Sequence, residues 1–312
     1  MIALSHITKR YGRTCALEDL SFTAPKGQII GLLGQNGAGK TTTLNILTGY
    51  LPPSGGSVAV GGFDLLREPR RAKGLMGYLP EKPPLYDEMT VESYLKFCCR
   101  LKEVAKSAIP GHVAEILKTT GLEAVAHRPL GHLSKGYRQR AGIAQALCGA
   151  PEVLVLDEPT VGLDPKQVVE IRGLIRELGK SHTVIFSSHI LQEVQQLCSR
   201  VIILHEGRMA RDVDLTAIQS HPRKWRLTVA MNEKKLAPPL SALPGVTRLK
   251  VLPTFDTAVT EAILESDSED LPRRLFTLLC GLDAPILRLT PMADTLEEIF
   301  LEATASREEV RP

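Results

Sequence analysis

An apolar segment, Gln28 to Leu33, runs without a break into Gly34-Gln35-Asn36-Gly37-Ala38-Gly39-Lys40-Thr41, and a helical pattern from Lys40 to Leu47 follows. No other stretch restricts the fold as much. Glycines in a loop between strand and helix let successive backbone N–H groups turn inward as an anion cradle, and the helix N-terminus adds its partial positive charge. G-x-x-x-x-G-K-[ST] in that setting reads as a phosphate site, with Lys40 reaching the β- and γ-phosphates and the Thr41 hydroxyl ligating Mg2+. The plainer alternative is a glycine-rich turn with a surface lysine; the strand before and the helix after weigh against it. The cradle takes in Gly34, Asn36, Gly37, Ala38, Gly39, Lys40, Thr41 and Thr42.

Short apolar runs at Leu75–Leu79, Val153–Leu156, Thr183–Ser187 and Val201–Leu204 read as further strands. Helical patterns at Val91–Glu103, Gly136–Leu147, Gln167–Leu178 and Ile190–Leu197 separate them, so the expected fold is α/β with a mainly parallel sheet buried on both faces. In the second of these helices Ile143, Ala144, Leu147 and Cys148 share a face, and Pro151 is expected to stop it. Val153–Leu156 delivers Asp157-Glu158 at its carboxyl end, where ligands of such sheets sit. Asp157 is placed to hold Mg2+ through its water shell and Glu158 to orient and deprotonate an attacking water. Asp-Glu before Pro159 would alone read as a strand-to-turn transition; beside a phosphate loop it reads as a site.

Composition is globular, with 43% hydrophobic and 23% charged residues, and 312 residues suggest about two domains. No run of about 18 apolar residues occurs, and Met1 to Arg10 lacks the apolar core of a secretory peptide, so a cytoplasmic location is expected. Cys15, Cys98, Cys99, Cys148, Cys198 and Cys280 show no metal spacing and are expected to be reduced, buried thiols. A net charge of +3 is too near balance to favour nucleic acid, and the run Arg67, Arg70, Arg71, Lys73 has no interleaved aromatics and reads as a solvated face.

After Asp214, with His221, Pro222, Pro238 and Pro239, the composition shifts, and a domain boundary is expected near 215. Strands around Trp225–Val229, Val246–Leu252, Ala258–Leu264 and Ile286–Leu289, with helices at Leu271–Leu279 and Thr295–Ala303, give most of a β-α-β-β-α-β pattern. Two prolines interrupt its first helix, Glu233–Leu243. A small α+β domain, ferredoxin-like in order, is therefore expected over 216–312.

The segment Leu133-Ser134-Lys135-Gly136-Tyr137 completes a set of motifs. With the phosphate loop, Asp157-Glu158, Gly162-Leu163-Asp164 and His189 in that order, residues 1–215 resemble the ATP-binding cassette ATPases. The resemblance implies a P-loop cassette with an N-terminal antiparallel β region and a helical subdomain over about 88–150. It implies that Tyr11 stacks on adenine, Glu81 lies at the Q-loop position near the metal, and Ser134 and Gly136 face a partner's ATP. It implies Asp164 at the subunit seam and His189 as the switch histidine on the γ-phosphate. Taken singly, Tyr11 is a packing residue and His189 a polar cap for the helix from Ile190. Glu81, Lys135 and Tyr137 replace the family's usual glutamine, glycine and glutamine. Glu81 thereby exchanges a group able to donate for a charged acceptor.

The resemblance further implies a homodimer that sandwiches two ATP molecules head to tail. Separate transmembrane permease subunits would dock beside the Glu81 loop and the region 91–131, on the inner face of the plasma membrane. Gly77–Tyr86 and Thr295–Leu301 look like the exporter branch that includes drug-resistance, sodium-efflux and gliding-motility ATPases. The alternative is a soluble cassette ATPase acting on nucleic acid or ribosomes. Such chains commonly carry two cassettes or a long coiled-coil insertion, whereas this one has one phosphate loop and no sustained heptads. No nucleic-acid partner is expected.

Overall fold

The computed structural model describes residues 1–216, 224–254, 256–266, 268, 270–292 and 296–305. His221, Pro222 and Thr295 lie outside the described residues. The chain divides into two compact units, one of Met1–Val213 with Ala303–Pro312, the other Asp214–Glu302.

The first unit begins with strands β1 (Ile2–Tyr11), β2 (Thr14–Ala24) and β3 (Ile29–Leu33), then helix α1 (Lys40–Leu47). Strands β4 (Gly55–Val60) and β5 (Phe63–Asp64), helix α2 (Pro69–Gly74) and strand β6 (Met76–Leu79) follow. Three helices come next: α3 (Val91–Leu101), α4 (Ile109–Thr120) and α5 (Lys135–Leu147). The unit closes with β7 (Val153–Asp157), α6 (Pro165–Leu178), β8 (Thr183–Ser188), α7 (Leu191–Leu197), β9 (Arg200–His205) and β10 (Arg208–Asp214).

The central six-stranded sheet has the order β10-β9-β3-β8-β7-β6, and β3 pairs in parallel with both β8 and β9. β7 lies parallel to β8 and to β6, so the expected parallel sheet is present. Register, more than any single residue, builds the site: Leu33 is level with Ser188 and Asp157 with Ser187, so three strand ends open side by side. A second, antiparallel sheet of order β2-β1-β4-β5 shares a core with the first. Ile2, Leu4, Ile7, Leu20 and Phe22 pack with Ile30, Leu32, Leu44, Val155 and Ile185. Burying each such aliphatic side chain stabilises the unit by about 1.5–3 kcal/mol before chain entropy is counted.

The helices after β6 cover the other end of the sheet. Thr90 opens α3 by accepting from Ser93 N at 3.2 Å, and Gly121, in the left-handed region, closes α4. A Cβ on Gly77 of β6 would lie 1.8 Å from Ala146 O, so α5 rests directly on the strand. α5 ends at Leu147, ahead of Pro151: Gly149 and Ala150 both take left-handed φ and turn the chain before the proline is reached.

In the second unit β11 (Lys224–Val229), α8 (Glu233–Ser241), β12 (Val246–Leu252), β13 (Thr260–Ser266), α9 (Leu271–Gly281) and β14 (Ile286–Met292) complete the β-α-β-β-α-β pattern. Helix α10 (Leu296–Ala305) follows. The sheet order β12-β13-β11-β14, antiparallel throughout, is the ferredoxin-like one. The interruption expected at Pro238 and Pro239 does not occur; α8 runs through both. Asn232 caps it through Lys234 N, and fully buried Leu236 and Leu240 anchor it, so packing outweighs the two missing N–H donors. All six cysteines are free, but Cys280 is exposed and Cys15 only half-buried, which corrects the expectation of six buried thiols.

Candidate nucleotide and catalytic site

Gly39 ends the phosphate loop at φ 103°, and Lys40 begins α1 directly after it. A Cβ on Gly34 would stand 2.6 Å from Leu204 O and 2.8 Å from the Ala38 Cβ, so the loop passes β9 at a distance only glycine allows. Lys40 is buried, and its Nζ donates to Gly34 O at 2.7 Å and Gln35 O at 3.3 Å. It also stands 3.6 Å from Glu158 Oε1. An ammonium held by two carbonyls and one carboxylate at the mouth of an N–H-lined loop is poised to exchange them for phosphate oxygens.

Asp157 ends β7 with 1% exposure and accepts from Ser187 Oγ at 2.6 Å, with the Thr41 hydroxyl close by. Burial pushes its carboxyl above the usual range; the two hydroxyls pull it back, and the negative charges of Glu158 and Glu81 push it up again. Excess negative charge beside two hydroxyls suits a cation. Among the described residues no cluster of three His, Cys, Asp or Glu side chains stands ready to hold a metal by itself. Mg2+ needs no such cage: one or two carboxylates with phosphate and water oxygens suffice, and the oxygen-only set of Thr41, Asp157 and Glu81 fits it.

Glu158 has φ 46°, a left-handed conformation uncommon for a side-chain-bearing residue, with its N–H donating to Ser187 Oγ at 2.9 Å. That turn sends Oε1 toward Lys40 and brings Oε2 within 2.9 Å of His189 Nδ1. His189 does not cap the following helix, whose N-cap position is Ile190 with no side-chain cap bond, and Ile190 N donates to Ser188 Oγ at 3.0 Å. A cleft of about 340 Å³ is lined by Asn36, Gly37, Gly39, Lys40, Thr41 and Thr42 on one side. Glu81, Glu158 and His189 face it, with Gln35, Ala16 and Val161 at its margins. Exposed Glu81 also borders a second cavity of about 910 Å³, which shares Thr41 and Glu81 with the first, reaches Asp157 and extends past Tyr50, Lys82, Pro84 and Lys102.

Four of the sequence candidates lie elsewhere. Tyr11, at the end of β1 and half exposed, has Lys9 Nζ 5.3 Å from its ring and is not among the residues lining the cleft. Ser134 occupies the N-cap position of α5 without a side-chain cap bond, and Gly136 is buried where a Cβ would meet the Gln167 amide at 2.7 Å. Asp164 caps α6 through Gln167 N at 2.9 Å. Neither they nor Asp164 line the cleft. Lys135, where the family has glycine, lays its ammonium against Gly162. The sequence reading missed Thr160, Ser187, Ser188 and Glu193, all buried. The available signal was Ser187-Ser188 before His189, with an acid four residues later on the helix, but hydroxyls carry no motif of their own.

A family profile described as ABC transporter matches residues 17–161. The chain is 32% identical over 302 residues to the uncharacterized ABC transporter ATP-binding protein YxlF of Bacillus subtilis, covering 97% of this chain and 99% of that one. It is 35% identical to the linearmycin resistance ATP-binding protein LnrL of the same organism, covering 97% and 98%. Among solved structures, a dimeric ATP-binding cassette in a post-hydrolysis state with ADP and Pi superposes with a TM-score of 0.63 at 25% identity, covering 69% of this chain and 99% of that one. Phosphate loop, paired acids, a histidine against the second acid and relatives matching nearly end to end agree: the chain belongs to the ATP-binding proteins of ABC transporters and is an ATPase.

Proposed function

We propose that this ATPase powers a membrane exporter by ATP-driven closure of a homodimer, with residues 1–215 as the catalytic cassette, its helical subdomain over about 88–150, and 216–312 as an accessory domain. The observation that carries the proposal is the division of the site. Lys40, Thr41, Glu158 and His189 surround one cleft, whereas Ser134 and Gly136 form a second helix N-terminus that does not line it. A helix N-terminus with an idle serine is a ready phosphate contact, and a twin molecule can use it on the first molecule's γ-phosphate.

In this reading Lys40 leaves the Gly34 and Gln35 carbonyls for the β- and γ-phosphates, and the loop N–H groups of Asn36 to Thr41 hold the rest, with Thr42 at the α-phosphate side. Tyr11 stacks on adenine. Glu158 takes the proton of the attacking water at a carboxylate oxygen while His189 fixes that carboxylate and contacts the γ-phosphate. Thr41, Asp157 through water and Glu81 would hold Mg2+, which would supply neutralisation of the phosphate charge. Ser134 and Gly136 of one subunit, with Asp164 at the seam, close on the ATP of the other. Loss of the γ-phosphate removes what both subunits hold, so a small chemical change biases a two-state assembly.

Among the described residues no helix is long and apolar enough to cross a membrane, and the translocation path is accordingly assigned to separate permease subunits. The 910 Å³ cavity beside Glu81, with Met76, Tyr78, Pro80 and Pro84 among its apolar lining and Lys73, Lys82 and Lys102 around them, suits a cytoplasmic segment of such a subunit. In this reading the ATPase works peripherally on the inner face of the plasma membrane. Two measurements test the proposal: specific activity should fall as the protein is diluted below its dimer dissociation constant, and an integral membrane protein should co-purify from membranes. Undiminished activity at high dilution overturns the shared site; co-purification with RNA in place of a membrane protein overturns the transport reading.

A further inference from the structure

After Asp157, Glu193 is the most buried acid among the described residues, 3% exposed on α7, and nothing in the hydrolysis scheme uses it. Its Oε2 accepts two hydrogen bonds, from Thr160 Oγ1 at 2.8 Å and Ser188 Oγ at 3.0 Å. Thr160 lies two residues after Glu158, and Ser188 immediately before His189. The connections close a ring, from Glu158 along the chain to Thr160, across Glu193 to Ser188, on to His189, and back through the 2.9 Å contact of His189 Nδ1 with Glu158 Oε2. Glu193 Oε1 is buried with no hydrogen-bond partner. A carboxylate shielded from water and met only by two neutral hydroxyls is a poor device for stability, since an unpaired buried acceptor costs about 1–3 kcal/mol or more.

We infer that Glu193 is a positioning residue: it ties the turn after the catalytic glutamate to the switch strand end, and so sets the Glu158–His189 contact before nucleotide arrives. This inference rests on the roles proposed for Glu158 and His189. The strained φ of Glu158 gives it a physical basis, because a left-handed turn persists only where its surroundings hold it. Thr160 Oγ1 and Ser188 Oγ are the holds, and Glu193 is their common anchor.

The variant of choice is Thr160→Val, which removes one hydroxyl at nearly constant volume; Glu193→Gln keeps an acceptor and serves as the conservative control. In the full-length protein, Thr160→Val should lower kcat about tenfold or more while ATP binding, read by nucleotide titration, changes less than twofold. Glu193→Gln should retain more activity than Glu193→Ala. The decisive measurement is a double-mutant cycle with His189→Ala. If Glu193 and Thr160 act by holding His189 at Glu158, Thr160→Val has little further effect once the histidine is gone. Full additivity of the two substitutions, or an unchanged kcat in Thr160→Val, overturns the inference. Where Glu193→Ala does not fold, the Thr160→Val cycle decides alone. Glu158→Gln serves as the reference: should it turn over at the full rate, the base assignment itself fails. Should it be inactive while the cycle is additive, only the role of Glu193 fails.

Discussion

Glu158→Gln keeps the shape of the side chain and removes its charge and basicity. One oxygen remains to meet His189 Nδ1, now 2.9 Å from Oε2, whereas the attraction to Lys40 Nζ at 3.6 Å is lost. At an effective dielectric constant of about 20, that attraction is about 5 kcal/mol gross, much of it offset by the desolvation of two groups whose side chains are 7% and 11% exposed. Lys40 keeps its bonds to Gly34 and Gln35, so the nucleotide-free variant should lose about 1–3 kcal/mol, a few degrees in Tm. With ATP bound, Lys40 has phosphate as its partner, and the same substitution removes a negative charge facing the triphosphate. The ATP-induced rise in Tm should therefore exceed that of the native chain, by mass action on a tighter complex. Catalysis should move the other way. A positioned general base contributes about 10²–10⁴-fold, which at 1.36 kcal/mol per tenfold is about 2.7–5.4 kcal/mol of barrier. The assay is phosphate release at saturating ATP and Mg2+, beside a thermal scan with and without nucleotide and a sizing run with ATP, where the variant should accumulate as a dimer. A kcat within threefold of the native value refutes the assigned base. Loss of the ATP-induced Tm rise shows instead that Glu158 serves binding.

Further outcomes follow from the same geometry. Asp157→Asn keeps an acceptor for Ser187 Oγ but removes a carboxylate that burial has pushed up. Such a group binds more protons folded than unfolded, so it costs stability as pH rises from the ordinary carboxylate value of about 4 through its raised folded value. The Tm difference between Asp157→Asn and the native chain, both without nucleotide, should grow in favour of the variant across that window, while hydrolysis is lost; a flat difference refutes the raised carboxyl. Gly34→Ala should abolish ATP binding in a nucleotide titration, since its Cβ would stand 2.6 Å from Leu204 O, and normal affinity would show that the loop can move off β9. Pro238→Ala restores an N–H inside α8 and should stabilise the second unit by about 1 kcal/mol or more in denaturant unfolding; a neutral result means the helix bond is not recovered.

Asn232 and the two prolines of α8 show where sequence patterning gives out. Local propensity argued for an interrupted helix, and Leu236 and Leu240, seated in the second unit's core, hold it through Ser241. α5 shows the reverse, with the expected stop at Pro151 anticipated by left-handed residues at 149 and 150. Helices α1, α3 and α6 and the parallel strands were legible because their periods are set by burial on one face or two, a property each segment carries by itself. The phosphate loop was legible for a related reason: glycine spacing, lysine and threonine act within eight consecutive residues.

What the chain's own order of residues determined was therefore the cradle Gly34–Thr41, the acids at the end of β7 and the α/β alternation that sets them on one sheet edge. Only the tertiary structure decided that Ser187 bridges Asp157 and Glu158, that Oε1 and Oε2 of Glu158 are divided between Lys40 and His189, and that Glu193 ties Thr160 to Ser188. It likewise left Ser134 and Gly136 outside the cleft lining. The reason is physical. Contacts between residues far apart in sequence depend on the register of parallel strands, which hydrogen bonding of the whole sheet sets and which no local pattern of side chains specifies.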